Sequence, residues 1–449
     1  MFYGCQALES LDISSFNTQN ARTMSKMFSS CEKLKSIDLS NFKTSNLEDM
    51  SSLFTNCFSL TSLSLNNFDT KKVINMNNMF TKCTSLENIE LQNWDTSSVT
   101  TIEYMFSFCS SLKSININHF NTKNLIRMSG LFQGCSSITS LTLSIFTGNV
   151  YLMQYIFQDM TSLEYLDITK LNTSSAVFFR GMFRNCTKIK YIDVSNFQTD
   201  NLIDINNIFY NDYSLTSINL DNFNTSLVED FSYMFYNTSL KEIRLKNFNT
   251  KNGYYFSHMF ENCTSLTSFD ISSFDTNNAK DYAYMFKNCT ALTSINLKNF
   301  ITDNIISMGH MFENCYKLEN IEYIYWDFPY ANDFSYMFSN CKALKNINIS
   351  MYKTPGAKDL SYMFNNCSSL TSLDLSNFIT TEVNSMENMF YSCKGLTELD
   401  ITSFSNSKCR NFKNIFGECN GLTVIINNET LSNIFNDIPD YIVIKNKTS

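Results

Sequence analysis

The sequence predicts an α/β solenoid of about 17 repeats of 26 residues, with its strands in one continuous parallel sheet. The dipeptide Met-Phe, or its Leu-Phe and Ile-Phe variants, recurs 17 times between Met1 and Ile415, and 14 of the 16 intervals are 26 residues long. Each interval contains one strand-like and one helix-like apolar pattern. The chain also has only 11 Gly and 3 Pro in 449 residues, which disfavours several globular domains joined by flexible linkers.

The repeat at 27–52 contains both patterns. Ile37 and Leu39 alternate with polar residues, as in a short half-buried strand. Leu47, Met50 and the Leu-Phe dipeptide that follows have the spacing of a short helix with one apolar face. The Thr-Ser-Asn run before them can cap the N-terminus of that helix. Neither element buries its apolar face alone, so each repeat must be covered by its neighbours.

Aromatic side chains recur at two fixed repeat positions and are predicted to form stacked ladders in the core. Phe completes all 17 dipeptides, from Phe2 to Phe416, and a second aromatic position runs from Phe16 to Phe404 with Leu171 as its exception. A stripe of Met and Phe is far more often core than a cofactor site. The sequence therefore predicts no cofactor.

Cysteine is confined almost entirely to one repeat position: 14 of the 15 cysteines, from Cys5 to Cys419, occupy it, and Cys409 does not. Equivalent side chains one repeat apart point the same way, which fits disulfide geometry poorly. We therefore expect buried free thiols that act as small apolar groups. Met160 and Asp212 replace cysteine in two repeats, so the position does not require sulfur. No C-x-x-C or Cys/His spacing occurs, and no metal site is predicted.

Composition and motifs exclude several classes of function. Lys and Arg number 34 against 42 Asp and Glu, a net charge of −8, which disfavours a nucleic-acid partner. No run approaches the ~18 apolar residues of a transmembrane helix. His119, His258 and His310 are expected at unrelated repeat positions, so no Ser/His/Asp site is predicted. The sequence also lacks phosphate-binding and zinc-protease motifs, and we expect that the protein is not an enzyme.

The motif M-F-x-x-C-x-x-L-x-x-L-x-L-x-x-F is fullest at 363–378 and recurs along the chain. It resembles the BspA-like leucine-rich repeats of bacterial surface proteins, in their mycoplasma-lipoprotein variant. It differs from the common L-x-x-L-x-L-x-x-N repeat because an aromatic residue stands where the Asn would be. The resemblance implies a right-handed β–α superhelix without catalytic residues. It also implies a cell-surface or secreted recognition or adhesion protein.

Two hypotheses about function stay open at this point. The first is a surface protein that binds protein or glycan ligands, host or matrix molecules among them, through its concave sheet. The second is an intracellular scaffold of the same fold for protein–protein interaction, because free thiols are compatible with a reducing compartment.

We expect the repeats to span residues 1–430 and a C-terminal cap and tail to span 431–449. Since Met1 and Phe2 already form a repeat dipeptide, we expect the solenoid to be truncated at its N-terminal end. The N-terminal cap and any signal segment would then be missing.

Departures from the repeat at outward strand positions are the first candidate ligand-binding residues. One outward position carries mainly acidic side chains, which either bind cations or a basic partner, or simply keep the sheet face solvated. Tyr165 and Tyr191 replace the usual Ser in adjacent repeats, beside Asp167 and Asp193. Aromatic rings beside carboxylates suit the recognition of proteins or sugars.

A second departure lies at 323–330, where Tyr325, Phe328 and Tyr330 enter a normally polar turn. If exposed, these rings would form an apolar contact site. Local repacking around Pro329 would explain them equally well. The predicted ligand-binding residues are therefore Tyr165, Asp167, Tyr191, Asp193, Tyr325 and Phe328.

Overall fold

The fold is a stack of β-turns and short parallel strands, seen in a computed structural model. The model describes residues 1–143, 148–323, 326–350, 352–405, 408–427 and 438–446. They form two compact units, Met1–Leu227 and Val228–Ser449. In each unit the chain coils in successive turns of the repeat, and backbone N–H groups of one turn donate to carbonyls of the next. The predicted solenoid with parallel strands is confirmed, whereas the predicted boundary at residue 430 lies outside the described residues.

Short strands occupy the position that the period-2 pattern predicts. In the described residues the strands are β1 (Ser62–Ser64), β2 (Asn88–Glu90), β3 (Ser140–Thr142), β4 (Tyr165–Asp167), β5 (Ser217–Asn219), β6 (Glu242–Arg244), β7 (Ser294–Asn296), β8 (Asn320–Glu322), β9 (Glu398–Asp400), β10 (Thr423–Ile426) and β11 (Val443–Asn446). Within the first unit β1 pairs with β2 and β3 with β4, and within the second unit β7 pairs with β8 and β10 with both β9 and β11, all in parallel. The predicted sheet is therefore present as separate short ladders in each unit.

A second line of parallel contacts runs through the residues for which a helix is predicted. Single-residue parallel bridges join equivalent positions of successive repeats there. In the first unit the bridges run from Thr23 to Asp204, and in the second unit from Asp230 to Asn411. The segment for which a helix is predicted therefore forms a second line of parallel β-bridges in each unit.

The prediction of a helix in each repeat is wrong, since no helix occurs among the described residues. Two residues around each dipeptide adopt left-handed backbone, such as Ser52 (φ 56°) and Asn56 (φ 61°). An α-helix needs φ near about −60° throughout, so this pair excludes it. The N–H of Phe54 instead donates to the carbonyl of Met79 in the next repeat, at 2.9 Å. The three-residue spacing of apolar side chains reflects successive turns rather than one helical face.

The predicted aromatic ladder of the dipeptides is confirmed as core. Phe28, Phe54 and Phe80 are fully buried. Their rings stack on one another at centroid separations of 5.5 and 6.0 Å. The same stacking continues in the second unit, for example between Phe260 and Phe286 at 5.7 Å. Offset stacking of this kind adds to the area that each ring buries.

Asp and Asn side chains make the corners that Gly and Pro make in other proteins. Asp38 Oδ1 accepts the N–H of Ser40 at 2.9 Å, and Asp49 Oδ1 accepts that of Ser51 at 2.9 Å. Asp69 makes the same contact two residues ahead at a third corner. Such Asx turns reverse the chain without a special residue, which explains why so few Gly and Pro suffice.

A buried threonine ties each repeat to the next. The hydroxyl of Thr44 accepts the N–H of Asp69 at 2.7 Å and donates to the carbonyl of the same residue at 3.2 Å. Thr18 makes both contacts with Lys43. Because a side chain satisfies two backbone groups at once, this position favours Thr in most repeats.

The cysteines are free thiols, and all but Cys5 are buried, as predicted. The Cys57 thiol donates to the carbonyl of Phe28 at 3.2 Å, and that of Cys83 donates to Phe54 at 3.2 Å. Burial raises the pKa of Cys57 to about 12. A thiol held protonated in this way is a poor nucleophile and a poor metal ligand, so the cysteine column is structural.

Candidate functional site

The side of the sheet to which Ser62 and Ser64 point is the strand face. Its mainly acidic outward position, which includes Asp167 and Asp193, is called the acidic ladder, and its described carboxylates make structural hydrogen bonds. Asp167 Oδ1 accepts both the hydroxyl and the N–H of Thr169, at 2.7 and 3.1 Å. Hydrogen bonds from Thr169 lower the pKa of this carboxyl. Asp193 accepts the N–H of Ser195 in the same way. These hydrogen bonds form the turns that follow the strand segments.

Nothing in the described residues supports the hypothesis that the acidic ladder binds cations. Asn116 and Asn219 replace Asp in other repeats and accept the same backbone N–H, at 3.1 and 3.0 Å. At this position a neutral amide oxygen therefore makes the same turn contact as a carboxylate. Within the described part of the chain, no three His, Cys, Asp or Glu side chains are grouped so that they could hold a metal ion.

Tyr165 and Tyr191 lie on the strand face in adjacent repeats, where most repeats have Ser. Tyr165 begins β4 and pairs with Ser140 of β3. The two tyrosines are 58% and 63% exposed. By contrast, the described Phe rings of the dipeptide ladder, such as Phe28 and Phe54, are buried and stacked.

An open cavity of about 430 Å³ is lined by Glu164, Lys188, Lys190 and Ser214. Glu164 directly precedes Tyr165, and Lys190 directly precedes Tyr191. Sequence analysis missed all four lining residues, because Glu and Lys are common at these positions. We call Tyr165, Tyr191 and the four lining residues the tyrosine site.

The charged side chains of the tyrosine site differ from their equivalents in other repeats. Within the described residues, no ion pair joins Glu164 to Lys190, although they stand one repeat apart. Elsewhere the same two positions form ion pairs. These pairs are Glu9 with Lys35 at 2.9 Å, Glu87 with Lys113 at 2.6 Å and Glu319 with Lys345 at 3.9 Å.

In the second predicted group of ligand-binding aromatics, Phe328 is not part of an exposed patch. Phe328 is fully buried. Its ring packs edge-on against Phe334 and Tyr352, at 5.1 and 5.0 Å. Local repacking therefore explains the place of Phe328 in the turn, and a contact between Phe328 and a ligand stays a prediction. Tyr325 lies outside the described residues.

A stacked column of rings, which sequence analysis missed, runs along the second unit. Centroid separations between successive rings are 4.3, 4.4, 4.4, 4.6 and 4.4 Å. Each ring belongs to the residue before the dipeptide, in left-handed backbone. We call this the ring column, and its members are Tyr233, His258, Tyr284, His310, Tyr336 and Tyr362.

The ring column corrects the expectation that the histidines are at unrelated positions, since His258 and His310 share one position two repeats apart. His258 Nδ1 contacts Glu261, and His310 Nδ1 lies 2.7 Å from Glu313 Oε2. Both imidazoles have tyrosine rings on their two faces. Their faces are thus used in stacking, which is a structural role.

A larger open cavity, of about 750 Å³, lies on the strand face of the second unit. Its lining includes the acidic side chains of Asp374, Glu398 and Asp400. Asp374 and Asp400 accept backbone N–H groups in Asx turns. This surface is acidic and hydroxyl-rich, and it lacks an exposed aromatic pair like that of the tyrosine site.

Stacked repeats with parallel strands, aliphatic and aromatic ladders, and Asx corners define a leucine-rich-repeat solenoid. The chain belongs to the family described as "Mycoplasma protein of unknown function, DUF285". The family profile matches six overlapping stretches, which are residues 1–86, 58–145, 108–217, 144–239, 211–324 and 319–429. The resemblance to BspA-like and mycoplasma repeats is therefore confirmed. No curated protein sequence matches the chain.

Solved structures of other repeat proteins are similar to this chain at low identity. A leucine-rich cell surface protein of Faecalibacterium prausnitzii is 17% identical over 90% of this chain and 86% of its own, with a TM-score of 0.31. A leucine-rich repeat protein of Eubacterium ventriosum is 15% identical over 76% and 84%, with a TM-score of 0.35. The functional domain of InlJ from Listeria monocytogenes, which includes a cysteine ladder, is 14% identical over 95% and 76%, with a TM-score of 0.21. In the described residues, no helix of the length and hydropathy needed to span a membrane occurs.

Proposed function

We propose that this protein is a non-catalytic recognition protein that binds a protein or glycan ligand on its strand face, at the tyrosine site. The observation that carries the proposal is the exposure of Tyr165 and Tyr191, at 58% and 63%, where most repeats have Ser. Exposed tyrosines supply large contact area with few rotatable bonds, and they dominate many binding sites. The stacked repeats of the first unit, Met1–Leu227, would hold this site on a packed support.

We further propose that the protein is displayed at the cell surface or secreted and acts in adhesion. The resemblance of its repeats to those of BspA-like surface proteins supports this location. Asp167 and Asp193 remain part of the proposed binding surface, because each carboxylate has a second oxygen beside the one that accepts the turn N–H.

A binding screen with a double variant tests the proposal. The protein is screened against immobilised matrix proteins and glycans, and each hit is titrated with Tyr165→Ser/Tyr191→Ser. If both tyrosines are hot spots, affinity falls at least about 30-fold, the equivalent of roughly 2 kcal/mol. Tyr330→Ser is the matched control, since Tyr330 is 66% exposed and lies outside the strand face. Equal affinity of the wild-type protein and the double variant for every hit would refute the proposal.

An intracellular scaffold of the same fold is the second candidate, and the free thiols favour it. The described cysteines form no disulfide, and reducing compartments keep thiols in this state. Protease treatment of intact cells separates the two candidates. Cleavage of the protein supports the surface location, and full protection supports the scaffold.

A further inference from the structure

We infer that the tyrosine site takes an acidic saccharide, a sugar whose carboxylate is held by Lys188 and Lys190 beside the rings of Tyr165 and Tyr191. This inference rests on the proposed function, because it names the ligand class of the same site. Three features support it: the charges that line the cavity, the size of the cavity, and the exposed tyrosines that directly follow two of its lining residues.

The cavity carries more positive than negative charge. Two of its four lining residues are Lys and one is Glu. In the described part of the chain neither Lys188 nor Lys190 has an ion-pair partner, although Lys35 and Lys113, which occupy the repeat position of Lys190, are paired with Glu one repeat away. Two ammonium groups at one open cavity attract an anion, and a carboxylate can accept hydrogen bonds from both.

The neighbouring aspartates do not cancel this charge. Asp167 and Asp193 follow Glu164 and Lys190 by three residues. At about 3.3 Å per residue of extended chain this is on the order of 10 Å. Charges in solvent at that separation are about one Debye length apart at physiological salt. The lysines at the cavity itself therefore dominate its interaction with a bound group.

Size and hydrogen-bonding chemistry favour a sugar over an acidic peptide. A volume of about 430 Å³ falls in the range of small-ligand sites, which hold a compact ring rather than an extended chain. Ser214 donates its hydroxyl proton to the carbonyl of Thr187 at 2.8 Å, so its oxygen is left to accept a sugar hydroxyl. Glu164 offers further acceptors. Tyr165 and Tyr191 directly follow two of the lining residues, and a tyrosine ring can contact the C–H face of a sugar.

Titration of the full chain with four saccharides tests the inference. The probes are sialyllactose and a glucuronic-acid disaccharide, with lactose and cellobiose as their neutral counterparts. We expect each acidic probe to bind at least about tenfold more tightly than its counterpart, a difference of 1.4 kcal/mol. We also expect the preference to weaken with added salt.

Variants assign the preference to the tyrosine site. Lys188→Ala/Lys190→Ala should abolish the preference for acidic probes, and Glu164→Gln should increase it. Lys345→Ala is the matched control, because Lys345 occupies the position of Lys190 in a repeat where it is ion-paired. The control should leave the preference unchanged.

Three results would overturn the inference: equal binding of acidic and neutral saccharides, a preference that survives the double lysine variant, or no saccharide binding at all. An acidic peptide that binds more tightly than the saccharides and is lost in the lysine variant would reassign the site to a protein ligand. In each case the proposed function survives if Tyr165→Ser/Tyr191→Ser still removes binding of a ligand from the screen. If that variant changes nothing, the proposed function fails as well.

Discussion

Replacing Asp212 by cysteine is predicted to stabilise the protein. Asp212 is fully buried in the cysteine column. Its Oδ1 accepts the N–H of Cys186 at 2.8 Å, while Oδ2 has no hydrogen-bond partner among the described residues. Burial raises the pKa of this carboxyl well above its usual range. The native repeat therefore holds a carboxyl whose charged form is disfavoured by burial, where most other repeats hold a thiol.

The gain in stability follows from the hydrogen bonds of the column. The Cys186 N–H also donates to the carbonyl of Phe183 at 3.0 Å, so it keeps a partner when Asp212 is removed. A thiol at 212 would donate to that same Phe183 carbonyl, as the Cys186 thiol donates to Phe157 at 3.1 Å. Removing one unsatisfied buried oxygen should raise the free energy of unfolding by about 1–3 kcal/mol. For a unit of this size, each kcal/mol raises Tm by roughly 2–4 °C.

The effect of Asp212→Cys should grow with pH. The unfolded carboxyl ionises near pH ~3.9, whereas the folded one stays protonated to higher pH. Between those two values the unfolded state binds fewer protons, so the native protein loses stability as pH rises. Thermal melts followed by circular dichroism at pH 4 and pH 7 measure both effects.

Two control variants make this prediction specific. Asp212→Asn should also remove the pH dependence, because it keeps the shape without a titrating group. Asp193→Asn should change neither Tm nor its pH dependence, since an amide oxygen can accept the Ser195 N–H equally well. If Asp212→Cys lowers Tm at pH 7, or if its effect is the same at both pH values, the reasoning is refuted.

Three further predictions concern the repeat itself. Thr44→Val should cost about 1–3 kcal/mol of unfolding free energy in urea, because the N–H and carbonyl of Asp69 lose their buried partner; Thr44→Ser should recover most of it, and equal losses in both variants would contradict the role of the hydroxyl. Tyr284→Ala should cost about 1–3 kcal/mol, since two stacked faces at ~0.5–1.5 kcal/mol each are lost, and Tyr284→Phe should cost far less in the same urea titration. Native protein treated with a thiol reagent should react quickly at Cys5 alone, the exposed thiol among the described cysteines; rapid reaction of Cys5→Ser protein would show that the cysteine column is open.

The strand and core of each repeat could be predicted from sequence because their signals are local. The alternation of Ile37 and Leu39 specifies a strand, and the periodic Phe residues specify a ladder. The helix was mispredicted because Leu47 and Met50 have a three-residue spacing that fits both a helix and a series of turns. Only the left-handed backbone of residues such as Asn56 (φ 61°) separates the two, and Ser, Lys and Phe share that position with Asn.

The candidate site was predictable in part for the same reason. Tyr165 and Tyr191 stand out against Ser in the repeat alignment. Lys190 stands out because it forms no ion pair with Glu164 in the described residues. Only the three-dimensional placement of the two side chains reveals this. The ring column was visible in the sequence, since His258 and His310 each directly precede a Met-Phe dipeptide.

Hydrogen–deuterium exchange with a bound ligand tests the central claim most directly. The ligand is any hit from the screen, at saturating concentration. Recognition at the tyrosine site predicts slower exchange in peptides that cover 164–167 and 188–193, and unchanged exchange in peptides that cover the ring column. Protection confined to the ring column, or to the acidic cavity around Glu398, would contradict the claim.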